Sequence, residues 1–353
     1  MALDTAKTIT DPGGRAGALS AIGVAQAATR SAAAARETFE VALEAAQSIT
    51  DPGVRIDSLC NLAKARAAAG DAAGARAAID LARQDAAAIT DKDAWIGVVV
   101  NIGVARAQIG DSEDTKLTFD TLKQMAEKLS DTHKTFALST ISSGQSRAGD
   151  RQGARVTAQA AATSVDGIGD AYWKDRTRGL GVVWAQADCG DLSGAQKTTS
   201  MIKDPYFVSR ARWAVTCALL KTGDMDTAAY TAGTVGDDFL RGCALQAVAS
   251  ARAEKGDFAG AKSLADRITE ESRKANALTD IALGQAGAGD VAAATQTAML
   301  ITNPGQRASA YDKIAVAQAR AGNVADAVTT AQNIRDPYWK AIALAEVAAA
   351  GKP

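Results

Sequence analysis

Residues 303–337 read NPGQRASAYDKIAVAQARAGNVADAVTTAQNIRDP, and this stretch decides the fold. Asn303 is a helix cap, and Pro304 stands in the first turn, where a missing N–H leaves no bond unmade. Tyr311, Ile314, Ala315 and Gln318 follow at i, i+3, i+4 and i+7, which places them on one helical face. Gly322 supplies the left-handed residue that ends this helix. Asn323 caps a second helix with Ala327, Ala331 and Ile334 along one side. Asp336-Pro337 stops it and starts the pattern again.

The pattern recurs over the whole chain. Its turn falls at Gly70-Asp71, Gly110-Asp111, Gly149-Asp150, Gly190-Asp191, Gly223-Asp224, Gly256-Asp257, Gly289-Asp290 and Gly322-Asn323, in steps of 40, 39, 41 and then 33 four times. The caps Asp11, Asp51, Asp91, Asp131, Asp170, Asp204, Asp237, Glu270, Asn303 and Asp336 interleave with it. A fixed period of this size means stacked helix pairs. From cap to turn the distance stays at 19 residues (Asp51 to Gly70, Asp204 to Gly223). Only the second helix changes, by about two turns or roughly 10 Å. The expected fold is an all-α, right-handed superhelical α-solenoid of about nine antiparallel helix pairs. Residues 1–190 form a half with long second helices and 191–353 a half with short ones, in one continuous solenoid.

A bulky residue recurs in the first helix: Ile22, Leu62, Ile102, Ile141, Val182, Val215, Val248, Ile281 and Ile314. A small residue recurs in the second: Ala35, Ala75, Thr115, Ala154, Ala195, Ala228, Ala261, Ala294 and Ala327. Tyr311, Ile314, Ala315 and Gln318 in the first helix, with Ala327, Ala331, Ile334 and Pro337 after them, resemble the tetratricopeptide repeat, and the resemblance runs along nearly the whole chain. The departures are the period and the Gln or Arg (Gln26, Arg66, Arg106, Gln145, Gln186, Arg252, Gln285, Gln318) where that family has Tyr. The resemblance implies first helices lining a concave face, with groove positions six and ten residues before each turn glycine. Those positions are small or polar in most units, and become Trp184, Leu180, Trp213 and Cys217 near the change of period. Phe136 lies on the same face one unit earlier.

The chain has 353 residues, 39 basic and 40 acidic, for a formal charge of -1. That balance leaves no electrostatic footprint for nucleic acid or an anionic membrane. The longest apolar run, Ala94–Val100, is too short to span a bilayer, and no signal peptide is recognisable. The chain begins inside a repeat, so the compartment stays open between the cytoplasm and an exported location reached after removal of a leader. Cys60, Cys189, Cys217 and Cys243 are scattered without metal-ligand spacing and read as small buried apolar groups.

Catalysis finds little support. His133 is the single histidine and sits in an Asp-Thr-His-Lys turn. Gly179-Leu-Gly181 is a fragment of a dinucleotide fingerprint, but with no strand before it. Neither a Walker-type loop nor a distinguished carboxylate pair is present, and no cofactor or metal is expected. Tyr172-Trp173, Tyr206-Phe207 and Tyr338-Trp339 follow three caps and read as plugs over helix entries, with carbohydrate stacking as the alternative. A basic residue four after many caps (Arg15, Arg55, Lys174, Arg241, Lys274, Arg307, Lys340) reads as one half of an ion pair with an acidic residue within or between repeats.

The expected function is a non-catalytic scaffold or adaptor that takes a protein or peptide segment in its groove. Its contacts are Trp184, Trp213, Phe136, Leu180 and Cys217, with Gln145 and Gln186. Two other readings stay open: a structural subunit joined head to tail through half-repeat ends, and an α/α-toroid enzyme or glycan-binding protein.

Overall fold

The structure, a computed structural model, describes residues 2–29 and 31–350. All regular structure among them is helical. No helix among these residues is long and apolar enough to cross a membrane. The chain divides into two compact units, Met1–Gly194 and Ala195–Pro353.

In the first unit the first helices are Pro12–Ala28, Pro52–Ala68, Lys92–Gln108 and Asp131–Arg147. A fifth runs from Ala171 to Asp188, with one turn of π-helix at Arg178–Val182. Each of the first four packs on its own second helix, Ala32–Gln47, Ala72–Ala86, Ser112–Ala126 or Arg151–Ser164. Successive first helices also touch. In the second unit the first helices are Pro205–Thr222, Asp238–Glu254, Glu271–Gly287, Pro304–Arg320 and Pro337–Ala350. The second helices are Met225–Gly233, Phe258–Ala265, Val291–Met299 and Val324–Gln332. Second helices have 14 to 16 residues in the first unit. They have 8 or 9 in the second. This is the shortening of about two turns that the change of period implies.

The turn chemistry follows the sequence. The glycines at 70, 110, 149, 190, 223, 256, 289 and 322 all have φ between 80° and 88°, a region that costs other residues about 1–2 kcal/mol. After each, the next backbone N–H reaches back to a carbonyl of the first helix, as Asp71 to Arg66 O at 2.8 Å, which satisfies an otherwise orphaned acceptor. Asp51, Asp91, Asp170, Asp237 and Asn303 accept an N–H from the first turn of the helix that they start. One cap differs from expectation: Ser130, not Asp131, precedes the fourth first helix, and Asp131 is already helical.

The core is built from the two recurring positions. Leu62, Ile102, Ile141, Val248, Ile281 and Ile314 are at most 2% exposed, and Ala75, Ala154, Ala228, Ala261, Ala294 and Ala327 are fully buried. Each large side chain contributes about 1.5–3 kcal/mol by leaving water. Alanine opposite lets the helices close.

The basic residue after the cap has a more specific role than the ion pair expected of it. Arg15, Arg55, Arg241 and Arg307 each donate to the carbonyl six residues earlier, at Ile9, Ile49, Val235 and Ile301, over 3.1, 2.6, 3.3 and 2.9 Å. The guanidinium closes the end of the preceding second helix, where carbonyls lack helical partners. Arg55 also pairs with Asp85 at 2.7 Å and Arg241 with Asp238 at 2.6 Å.

Candidate functional site

Three successive first helices of the first unit line an open groove of about 610 Å³. Phe136 comes from Asp131–Arg147, and Leu180 and Trp184 come from the helix that carries the π-turn. All three are half-buried. They occupy positions 13, 10 and 6 before a turn glycine, one helical stripe repeated from unit to unit. Gly97 of Lys92–Gln108 faces them, and a Cβ added there would meet nothing within 4 Å. The absent side chain leaves the groove open on that wall.

The π-turn carries Leu180 and Gly181. A Cβ on Gly181 would lie 3.1 Å from Ser139 Oγ and 3.6 Å from Phe136 Cδ1. Glycine therefore permits the close approach of two helices beneath the aromatic wall. Insertions of this kind cluster at functional sites. Behind the wall the Arg176 guanidinium lies 5.5 Å from the Phe136 ring centre and 4.7 Å from that of Trp173. Cation–π attraction holds both rings in place.

The rim is polar. Arg147 Nη2 donates to Asn101 Oδ1 at 2.9 Å, and Asn101 Nδ2 donates to Asp57 Oδ1 at 3.0 Å. This chain of bonds links three first helices, Pro52–Ala68, Lys92–Gln108 and Asp131–Arg147. Gly97, Asn101 and Arg147 were missed in the sequence, although they lie 13, 9 and 2 residues before turn glycines, on the same stripe as the aromatics.

Gln145 and Gln186 do not line the groove, because both are 2% exposed and face the interior. Gln145 Oε1 accepts from Thr157 at 2.6 Å, and its Nε2 donates to Asp150 at 3.1 Å. The same Gln–Thr bond, twelve residues apart, joins Gln26 to Thr38 at 2.8 Å and Gln285 to Thr297 at 2.7 Å. Where the position is Arg, it reaches an acid of a second helix: Arg66 to Glu40 at 2.9 Å and Arg252 to Asp226 at 2.5 Å in the preceding pair, Arg106 to Asp114 at 3.7 Å in its own. At these positions a polar residue on an otherwise apolar stripe bonds to a second helix, whereas Gln186 Oε1 and both amide atoms of Gln318 are buried without a partner.

Trp213 and Cys217 belong to the second unit, on Pro205–Thr222. Both are half-buried, and Arg210 stands 5.4 Å over the Trp213 ring. The aromatic doublets pack edge to face at 5.3 to 5.9 Å. Tyr172, Tyr206 and Tyr338 are exposed while Phe207 is buried.

The single histidine ties two helix starts together. Ser130 Oγ lies 2.8 Å from His133 Nδ1, and Asp93 Oδ2 lies 3.5 Å from His133 Nε2. His133 and Asp93 are more than half exposed, so water competes for each bond. Among the described residues no group of His, Cys, Asp or Glu has a metal-holding arrangement. Burial pushes the Cys60 thiol up to about 12 and raises Cys189 as well, which makes both weak nucleophiles.

No family model matches the chain, and no curated protein matches it. Solved structures do. One is the crystal structure of Ton1535 from Thermococcus onnurineus NA1, at 16% identity, covering 88% of this chain and 96% of that chain with a TM-score of 0.40.

Proposed function

We propose that this chain is a non-catalytic, tetratricopeptide-like binding scaffold, a right-handed stack of about nine helix pairs, whose partner is a protein or peptide segment seated in the groove of the first unit. The observation that carries this reading is the juxtaposition of Phe136, Leu180 and Trp184 around an open hollow of about 610 Å³ with a polar rim. An apolar centre with polar edges suits a segment that buries one or two large side chains. Each anchor seated there would add about 1.5–3 kcal/mol to binding. Gln145 and Gln186 have no part in the contact, since they are enclosed between helices.

Gly97 allows a test that separates blocking from unfolding. Gly97→Leu fills the hollow from its own wall without a steric conflict at Cβ. It also replaces a poor helix former with a good one, a gain of about 0.5–1 kcal/mol. Affinity capture from the native lysate is compared for wild type, Gly97→Leu and Trp184→Ala. Loss of one shared partner from both variants, with the melting temperature of Gly97→Leu maintained, supports the groove. Equal recovery of every partner by all three proteins overturns it.

A further inference from the structure

We infer that a second cavity of the first unit, separate from the groove, is a binding site for an unbranched medium-chain carboxylate of about eight to ten carbons. This hollow has a volume of about 330 Å³, at the lower end of small-molecule sites. It forms where three elements meet: the turn after Ala72–Ala86, the start of Lys92–Gln108 and the end of Ser112–Ala126. Ile89, Trp95, Ile96, Met125 and Leu129 supply an apolar lining. Met125 is 39% exposed.

The charges around this hollow define the ligand. Lys92 and Lys128 line it. The carboxylates next to them in sequence have their nearest contacts on other groups. Asp91 caps its helix by accepting the Ala94 N–H at 2.7 Å, Asp93 faces His133 at 3.5 Å, and Glu127 pairs with Lys134 at 2.5 Å. Among the described residues Lys92 and Lys128 form no ion pair, and both ammonium groups line the apolar cavity. The complementary molecule is an amphiphilic anion, with its chain against Trp95 and Met125 and its head between the lysines. A cationic amphiphile of the same length meets repulsion at the mouth. A short anion such as acetate lacks the apolar area to bind.

The test is isothermal titration of the full chain with sodium octanoate and sodium decanoate, with octylammonium chloride as the charge-reversed probe. One saturable site is expected for the carboxylates, about fourfold tighter per added methylene. Octylammonium gives no saturable heat. Lys92→Gln/Lys128→Gln, two changes at exposed positions, weakens decanoate about tenfold while leaving the circular dichroism melt in place. The groove variant Gly97→Leu binds decanoate as wild type does, so failure of one site is distinguishable from failure of the other. Octylammonium binding as tightly as octanoate, decanoate affinity unchanged in the lysine variant, or no saturable heat from any probe overturns the inference.

Discussion

The Thr157 hydroxyl donates to Gln145 Oε1 over 2.6 Å, linking the first and second helices of one pair in a place closed to water. The same geometry at Gln26–Thr38 and Gln285–Thr297 makes it a unit of construction. A buried acceptor stripped of its donor costs about 1–3 kcal/mol, whereas removing both partners together is close to neutral. Thr157→Val should lower the unfolding free energy by that amount in urea melts. Adding Gln145→Leu should restore most of it. If the double variant is instead less stable than either single one, the bond is not the source of the effect.

Identical glycine-to-alanine changes should have opposite signs in two helices. At Gly23 an added Cβ would lie 2.5 to 2.8 Å from the Phe39 ring, and Phe39 is 1% exposed, so neither can move aside freely. Gly23→Ala is expected to destabilise by about 1–3 kcal/mol through overpacking. Gly97→Ala meets open space and should stabilise by up to about 1 kcal/mol. Thermal melts of the two variants side by side decide it.

Asp312 should make the protein more stable when it is replaced. Its Oδ1 is buried without a partner. Burial, followed by the nearby Glu346 carboxylate, raises its pKa above the ordinary value. A carboxyl raised in the folded state holds its proton more tightly there than in the unfolded chain. Its contribution to stability therefore falls as pH rises from the ordinary value through the raised one. Asp312→Asn should melt higher than wild type at pH 7. The advantage should shrink as pH drops through that window and disappear below about 3.9. A constant difference across the whole range would assign the effect to something other than titration.

The four thiols should sort by burial. Cys60 and Cys189 are 2% and 4% exposed, and burial raises both pKa values. Cys217 and Cys243 are half-buried. Alkylation of the native protein at pH 8, read by peptide mass mapping, should label Cys217 and Cys243 first. Cys60 and Cys189 should react only after denaturant is added. Early labelling of Cys60 would mean that its helix pair opens without global unfolding.

Much of the architecture was legible in the residues. The turn glycines, the Asp-Pro caps, the small and bulky core positions and the two lengths of second helix all follow from local chemistry. Each involves residues a few positions apart, or a period that repeats. The stripe carrying Phe136, Leu180 and Trp184 was legible for the same reason. Gln145 and Gln186 were misplaced because a polar residue at the end of an apolar stripe can face water or a buried partner. For Gln145 the choice falls to Thr157 across the pair, while Gln186 is enclosed with its Oε1 unpartnered.

The sequence by itself determined the all-α class, most helix starts and stops (Asp131 against Ser130 being an exception), and the apolar stripes, because these depend on capping, glycine φ and a 3.6-residue period. Tertiary structure alone decided that Leu180 and Gly181 sit in a π-turn, that Gly97 opens a hollow instead of filling a close contact, and that Lys92 and Lys128 overhang an apolar cavity. Those outcomes depend on which side chains of neighbouring helices compete for the same space and the same charges, and that competition is between residues some forty positions apart.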